Sequence, residues 1–398
     1  MNQRQNLSLR VWPWIFVMAC IPAGLGAEEA MQNPVMEWAA LVDRAREDPG
    51  SAQACEALVA DAREAAAEPI VRRVYTLEDV GRHRTWLDGR SNALEDEIRE
   101  TFALAMSDFA ACNTLAGELP LLAAGFRLTG DEALRARIAE QLEEMASWMP
   151  LQRPGWTCYA PGHRLPEDGK DGNWLATGCG VRAMGDTLGL LPEGAIDPAL
   201  RARLEEVLRG EVAGVVDDWA TNRSWFVRSG NAITNQWVLP TEGLVRACLV
   251  LGVDEHKDAY ELGVANLLKA LDAHGEAGEF EEGVGYASFT LTSMLHAAHA
   301  MAVAGDRRAI DHPFLKRFPV WLVHHAQPGD LIINCFDAGA GYGAAERLRP
   351  LLTLIAACTA SPTARWGLDA LCGEPSGDLA GLAARALPPV GVEGAPPL

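Results

Sequence analysis

The stretch NAITNQWVLPTEGLVRACLVL, residues 231–251, indicates the fold of this chain. From Leu239 to Leu251 its apolar side chains recur every three or four positions, which is the spacing of an amphipathic helix. Three amides, Asn231, Asn235 and Gln236, stand in front of that helix. An amide in this position ordinarily caps the helix, but one cap needs only one of the three. The segment therefore predicts a helix whose entry carries surplus polar groups.

The same helical spacing recurs along most of the chain. It occurs in the segments Met36–Arg46, Leu94–Ala111, Leu115–Arg127, Glu132–Trp148, Leu200–Trp219, Ala259–Ala273, Ser288–Ala304 and Leu348–Ala357. Alternation of the kind that strands show is confined to Leu331–Phe336. The pattern therefore predicts an all-α fold.

Several predicted helices end in the same way. A glycine is followed by an acid one or two positions later at Gly130-Asp131, Gly252-Val253-Asp254 and Gly305-Asp306. Glycine accepts the left-handed conformation that closes a helix, and the acid caps the next helix. Recurrence of this unit predicts stacked helical hairpins, which form either an open solenoid or a closed ring.

Residues 1–27 have the layout of a secretory signal. Two arginines precede an apolar run from Val11 to Leu25, and small residues follow up to Ala27. We therefore expect a secreted or periplasmic protein, with one α-helical domain at 28–384 and a flexible tail rich in Pro, Gly and Ala at 385–398. Cys20 follows a loose match to a lipoprotein cleavage box, so a lipid-anchored form is the alternative.

The net charge of −20 makes nucleic acid an improbable partner. An acidic polysaccharide remains a candidate partner, provided that a cleft gathers Arg, Lys and His locally. Eight cysteines follow the signal and none forms a CxxC pair, which argues against a zinc ribbon or a thioredoxin-type site. If a disulfide forms, Cys158–Cys179 is the first pair to expect; otherwise the cysteines are buried as small apolar residues. No metal and no cofactor are expected.

A second polar segment, Arg153–Asn173, contains enough Pro and Gly to predict a long loop. It carries Trp156, Tyr159, His163 and Arg164, a mixture of aromatic and basic side chains. Rings stack on sugars and cations pair with carboxylates, so the loop is a candidate for binding an acidic glycan. The alternative is a surface lid that is packed by its own Trp and Tyr.

The third cluster is GEFEEGVGY, residues 278–286, which leads into the predicted helix Ala287–Ala304. It resembles the turn Asp-Gly-x-x-x-Glu-Gly-x-x-Tyr of the heparinase II/III and alginate lyase families of polysaccharide lyases, which presents a tyrosine at the mouth of an inner helix. Ala277 stands where that turn has its Asp, so the match is partial. The segment around Asn235 is similar to a second turn of these families, in which an Asn-containing segment enters an inner helix.

This resemblance covers about residues 35–360 and implies an (α/α) incomplete toroid of helical hairpins with a cleft for an anionic polysaccharide. It implies that Asn235 neutralises the uronate carboxylate and that Tyr286 transfers the proton during β-elimination. Such a tyrosine needs cationic neighbours, for which loop position and chemistry suggest His163 and Arg228 in the catalytic set. The residues expected to contact substrate, two of them further candidate cations, are Trp156, Tyr159, Arg164, Arg223, Trp225, Asn231, Gln236, Trp237 and Glu282.

Members of these families usually continue into a β-sandwich, whereas no strand-rich segment follows Ala357 here. We therefore expect no C-terminal β-sandwich. Four explanations stay open: a minimal toroid lyase, a separate β-sandwich partner chain, a glycan-binding protein without activity, and a truncated gene product.

Two other functions also stay open. A toroid glycoside hydrolase would use two of Glu281, Glu282 and Asp337 as an acid–base pair. An exported binding or scaffold protein would grip glycan with its aromatic loops and leave it intact. His296 and His299 lie on one face of the helix after Tyr286, where buried or solvated imidazoles are the expected reading.

Overall fold

The helices follow the apolar periodicity, and a computed structural model describes them over residues 35–83, 96–159, 162–327, 330–333, 343–359 and 361–386. The α-helices are α1 (Trp38–Glu47), α2 (Ala52–Ala67), α3 (Asp96–Thr129), α4 (Glu132–Met145), α5 (Leu175–Leu190), α6 (Pro198–Ala220), α7 (Trp225–Ser229), α8 (Asn235–Leu251), α9 (Lys257–Asp272), α10 (Gly283–Val303), α11 (Pro313–Val323), α12 (Ala344–Thr359), α13 (Pro362–Gly367) and α14 (Leu379–Ala386). Short 3₁₀ turns occupy Pro49–Ser51 and Leu77–His83, and a π turn occupies Leu368–Cys372. The strands are β1 (Ala326–Gln327) and β2 (Leu331–Ile332).

The all-α prediction is confirmed. Within the described residues the sheet is a single antiparallel pair, in which Ala326 lies opposite Ile332. The strand predicted from Leu331 therefore begins where expected, while its residues 334–336 lie outside the described part of the chain.

Helix α3 differs from the sequence prediction. The periodicity predicts two helices, ending at Ala111 and starting at Leu115, but one helix of 34 residues runs through the intervening positions. Cys112 and Leu115 are almost completely buried in the main core. Burial of the Cys112 and Leu115 side chains therefore outweighs the weak helix propensity of residues 112–114.

Most of the helices belong to two series that alternate along the chain. Helices α3, α5, α8, α10 and α12 contact one another in that order along the first series. The alternating helices α4, α6, α9, α11 and α13 contact one another in their own order along the second. Members of the second series also pack on the first, as α4 does on α3 and α9 does on α8. The described residues from Val35 onward belong to one compact unit with one dominant apolar core.

Two predicted details of this unit can be checked. Gly130 has a left-handed backbone with φ of 68°, and the Asp131 side chain accepts the N–H of Ala133 at the start of α4, as predicted. Arg385 and Ala386, placed in the tail by composition, are instead the last two residues of α14. Their apolar helix packs against α1 and α12, which composition could not show.

The predicted Cys158–Cys179 pair is corrected. Both are free thiols. Cys179 lies in the main core, whereas Cys158 belongs to a separate small cluster with Val80, Phe102 and Ala103. Both cysteines are thus small buried apolar groups, which was the alternative interpretation.

One helix segment among the described residues, Glu100–Thr129, is long and apolar enough to cross a membrane. Half of its most apolar 18-residue window is buried inside the protein. The core helix of a soluble protein passes the same test, so the segment is weak evidence of a membrane span.

Candidate functional site

The residue that caps α8 is not the candidate catalytic amide. Thr234 is the N-cap, because its backbone is extended and its side-chain oxygen accepts the N–H of Trp237 at 3.3 Å. Asn235 is the first helical residue, so the cap does not need its amide. Among the described residues the partly buried Asn235 side chain has no hydrogen-bond partner. The ordinary capping explanation for this asparagine is thereby removed.

Helices α8 and α10 run parallel in a defined register. The Ser293 hydroxyl donates to the Glu242 carboxylate at 2.6 Å, and Arg246 Nη1 donates to the His296 carbonyl at 3.2 Å. These contacts join residues that are 51 and 50 positions apart in the sequence. A nearly constant separation along both helices means that they run side by side in the same direction.

The same register brings Asn235 and Tyr286 to one level. Asn235 lies seven positions before Glu242, and Tyr286 lies seven positions before Ser293. Seven residues complete nearly two helical turns and rise about 10.5 Å, so Asn235 lies on the same side of α8 as Glu242, and Tyr286 lies on the same side of α10 as Ser293. Tyr286 is partly buried, and its hydroxyl has no hydrogen-bond partner among the described residues. We infer from this register that the Asn235 amide and the Tyr286 phenol lie at the same level of neighbouring helix starts, and neither group is engaged by another described residue.

An aromatic cluster lies beside this pair. Phe289, three residues after Tyr286, contacts Phe109 of α3 with ring centroids 5.9 Å apart in an edge arrangement. Phe109 also lies 5.9 Å from Trp174, the residue that precedes α5. Sequence reasoning missed these three rings, because they come from distant segments and none belongs to a motif. They connect the middle of α3 with the start of α5 and the second turn of α10.

The described residues of the segment, 153–159 and 162–173, form no helix or strand, as predicted for a loop, and a buried carboxylate anchors them. Asp171 accepts hydrogen bonds from the Gly155 and Thr157 amides at 2.8 and 3.1 Å, and from the Thr157 hydroxyl at 2.9 Å. Trp156 stacks on Trp174 at 5.3 Å and is only 1% exposed. The substrate-contact prediction for Trp156 is therefore corrected, because a buried ring offers no face to a sugar.

Arg223 holds the loop in place and is not available as a substrate clamp. Its guanidinium pairs with three carboxylates, those of Asp168 at 2.5 Å, Asp217 at 2.9 Å and Asp218 at 3.1 Å. The hydrogen bonds that Arg223 donates to Asp168 and then to Asp217 raise the pKa of Arg223 above its usual value. Burial raises the pKa of Asp218 to about 6. The prediction that Arg223 binds a uronate is corrected, since its charge is already compensated.

Five other predicted site residues, on this loop and on α7, are exposed. The Tyr159 ring meets the His163 ring edge-on at 4.8 Å, and His163 Nδ1 lies 3.0 Å from the Thr157 carbonyl. Arg164 is exposed beside them and donates to the His163 carbonyl at 2.9 Å. The Asp168–Arg223 pair ties this loop to the segment that carries Trp225 and Arg228. We call these five exposed side chains the rim: Tyr159, His163, Arg164, Trp225 and Arg228.

The rim and the Asn235–Tyr286 pair are separate in this structure. Within the described part of the chain no hydrogen bond or ring contact joins His163 or Arg228 to either member of the pair. Arg228 instead donates to the Asn222 carbonyl at 3.4 Å and to that of Arg223. The register of α8 and α10 thus aligns the two motif-derived residues along their helices, whereas the cations chosen from loop position make no hydrogen bond or ring contact with either of them among the described residues.

The other predicted contact residues have mixed positions. Trp237 is 3% exposed, and its indole N–H donates to the Asn266 carbonyl at 3.0 Å, so it belongs to the core and its prediction is corrected. Asn231 closes the turn before α8 through its backbone, whose N–H donates to the Phe226 carbonyl. Gln236 is partly buried in the first turn of α8, and Glu282 occupies the N-cap position of α10.

A buried charged network beneath the pair was missed by sequence reasoning. Glu242 is fully buried and accepts from Arg182 Nη1 at 3.1 Å, while Arg246 pairs with Asp186. Burial raises the pKa of Glu242, and the nearby Arg182 and Arg246 oppose that shift. A signal was present in the sequence: Arg182 and Asp186 are four apart on α5, and Glu242 and Arg246 are four apart in the opposite order on α8. Such reversed pairs inside apolar helices predict complementary contacts.

Of the two helix histidines, His299 is buried and His296 is partly buried, in line with the structural reading of the sequence. His299 is 2% exposed, and its Nε2 lies 3.0 Å from the Met36 carbonyl. Burial lowers the pKa of His299 to about 4 and holds the pKa of His296 well below its ordinary value. Both rings also lie against Trp38 of α1. Neither is therefore a candidate proton donor near neutral pH.

Two further groups bear on the other functions considered above. Glu281 is exposed, and Asp337 lies outside the described residues. No group of three or more His, Cys, Asp or Glu side chains that could hold a metal ion occurs in the described ranges.

Comparison with known proteins yields no relative: no family model and no curated protein matches this chain. The lyase resemblance consequently rests on two short turns and on the arrangement of Asn235 and Tyr286.

Proposed function

We propose that this chain is an exported polysaccharide lyase that cleaves uronate-containing glycan by β-elimination. The observation that carries the proposal is the placement of Asn235 and Tyr286 at one level of α8 and α10, each with its polar group unengaged within the described residues. A structural role would be expected to engage at least one of these groups. Their shared level instead suits a single bound sugar ring.

The chemistry follows from the two groups. The Asn235 amide donates a hydrogen bond to the uronate carboxylate, which lowers the negative charge that opposes removal of the C5 proton. Tyr286 in its phenolate form accepts that proton, a C4–C5 double bond forms, and the C4–O bond breaks as the leaving oxygen takes the proton from the Tyr286 phenol. A cation near the phenol favours its phenolate form. The rim supplies His163, Arg164 and Arg228 for this role once a glycan draws it toward the pair.

The proposal includes an (α/α) toroid of helical hairpins. Its support is the pair of helix series, in which α3, α5, α8, α10 and α12 alternate along the chain with α4, α6, α9, α11 and α13. The parallel register of α8 and α10 agrees with an inner layer whose helix starts open on one mouth. Helical toroids host several chemistries, so the site and not the fold carries the functional argument.

The proposal is tested by incubating the protein with alginate, heparan sulfate, chondroitin and hyaluronan while recording the ultraviolet absorbance of the unsaturated uronate product. We expect product with at least one of them, and a loss of kcat/KM of about 100-fold or more in Tyr286→Phe and in Asn235→Ala. Tyr75→Phe is the matched control, since Tyr75 is exposed and lies against Arg153.

Three outcomes count against the proposal. One is the absence of unsaturated product on a protein whose circular dichroism shows a folded helical chain. Another is unchanged turnover in Tyr286→Phe. The third is cleavage that leaves saturated ends, which would favour hydrolysis. Binding of a glycan without turnover that survives both substitutions would assign the chain to the binding proteins instead.

A further inference from the structure

A single buried carboxylate joins three helices of the first series. Glu242 of α8 is 0% exposed. Its carboxylate accepts from Arg182 of α5 at 3.1 and 3.3 Å, and from the Ser293 hydroxyl of α10 at 2.6 Å. We call Arg182, Glu242 and Ser293 the clasp.

Helices α5 and α8 have little freedom to slide on one another even without the clasp. A Cβ on Gly178 would stand 2.5 Å from the Leu239 carbonyl oxygen, and one on Gly243 would stand 2.8 Å from the Thr177 methyl group. Backbones that approach so closely interlock. Helix α10 packs its apolar face on α8, and the polar contacts of Ser293 and of the His296 carbonyl add directional contacts to that packing.

The clasp fixes the register of α10 on α8 more than it increases the free energy of unfolding. A buried ion pair adds little net stability over apolar residues of the same volume, whereas its geometry is strict. Sliding α10 by one residue moves Ser293 by about 1.5 Å along the axis and about 100° around it, which breaks the 2.6 Å bond to Glu242. The lost bond would leave Glu242 Oε2 with Arg182 Nη1 as its remaining donor among the described residues, which is unfavourable for a buried carboxylate.

We propose that the clasp is a positioning device that sets the height and facing of Tyr286 against Asn235. Two turns separate the clasp from this pair on both helices, so any shift of α10 at Ser293 is carried along a continuous helix to Tyr286. This inference rests on the proposed function as far as catalysis is concerned. Its physical part, control of the position of Tyr286, is measurable on its own.

The test compares Ser293→Ala, which removes the donor, with Thr290→Val. Thr290 lies one turn earlier on α10, is fully buried, and has a hydroxyl without a hydrogen-bond partner in the described structure. Thr290→Val therefore removes a buried hydroxyl that does not join the helices. Glu242→Gln is the second variant, since it keeps the shape of the clasp but changes its charge.

The physical readout is fluorine NMR of protein labelled with 3-fluorotyrosine. The chain has five tyrosines, so the signal of Tyr286 is assigned by its loss in Tyr286→Phe. We expect Ser293→Ala to shift or broaden that signal alone and Thr290→Val to leave it in place. An unchanged Tyr286 signal in both Ser293→Ala and Glu242→Gln would overturn the inference.

The kinetic readout separates positioning from general destabilisation. We expect Ser293→Ala to lower kcat about 10- to 100-fold with KM within about twofold, because a misplacement of about 1 Å costs that much. The control is a core variant far from the site that is destabilised as much as Ser293→Ala, such as Val207→Ala. It should keep the wild-type kcat when it is assayed well below its unfolding temperature. Equal losses of kcat in the two variants would overturn the positioning role. If the wild type has no lyase activity but the Tyr286 signal still moves, the proposed function fails and the inference survives.

Discussion

Replacing His274 by phenylalanine should remove a loss of stability that the wild type suffers in mild acid. His274 is 7% exposed and lies between the rings of Phe280 and Phe314, at centroid distances of 4.4 and 4.8 Å. Neither ring nitrogen has a hydrogen-bond partner within the described structure. Burial alone lowers the pKa of His274 from 6.5 to about 4.

The sign and size of the effect follow from that shift. Between pH 6.5 and pH 4 the unfolded chain binds a proton at His274 that the folded protein excludes, so this stability is present above pH 6.5 and is lost as pH falls. Each pKa unit corresponds to about 1.4 kcal/mol, which makes the full loss about 3.4 kcal/mol. Integration over the two protonation equilibria places about 1.8 kcal/mol of it between pH 7 and pH 5.

The assay is urea unfolding of the wild type and of His274→Phe at pH 7 and at pH 5. Other buried histidines and carboxylates titrate in both proteins, so their effects cancel in the difference of the two free energies of unfolding. We expect that difference to change by about 1.8 kcal/mol in favour of the variant at pH 5. His324→Phe adds the same ring at an exposed position and serves as the control. A change below about 0.5 kcal/mol, the usual limit of additivity, would refute the reasoning.

Three further substitutions test the packing around the site. Asp108→Asn removes the carboxylate that pairs with buried Arg73 and partly buried Arg153, so the free energy of unfolding should fall by about 3–5 kcal/mol in denaturant titration; a loss under about 1 kcal/mol would contradict the burial argument. Gly178→Ala places a methyl group 2.5 Å from the Leu239 carbonyl oxygen and should cost about 1–3 kcal/mol in the same assay, whereas an unchanged midpoint would show that α5 can move away from α8. Thr234→Ala removes the N-cap of α8 and should cost about 1 kcal/mol, with hydrogen exchange increased in the first turn only; exchange that rises along the whole helix would argue against a local capping role.

Part of the fold could be predicted from local signals. The spacing of Leu239–Leu251 and the glycine of Gly130-Asp131 act through residues close in sequence, and both were correctly predicted because helices and their caps are local structures. The merging of two predicted helices into α3 could not be foreseen, since the burial of Cys112 depends on a partner helix. Local propensity is too weak to resist such packing.

The residues of the candidate site could likewise be predicted only in part from the sequence. Motifs in the sequence singled out Asn235 and Tyr286, whose residue types and flanking turns are visible without a structure. The sequence could not distinguish exposed aromatic residues from buried ones, so Trp156 and Trp237 were assigned to substrate although both fill the core. It also could not show that the charge of Arg223 is already compensated by three carboxylates.

The sequence by itself determined that the chain is helical and that two polar turns lead into helices, because hydrophobic periodicity and caps are short-range properties. Only the tertiary structure decided that these turns stand at one level. That decision depends on the Glu242–Ser293 bond and the close approach at Gly178, which join residues roughly 50 to 60 positions apart. Contacts over such distances depend on how whole helices pack, and no local pattern of residues encodes them.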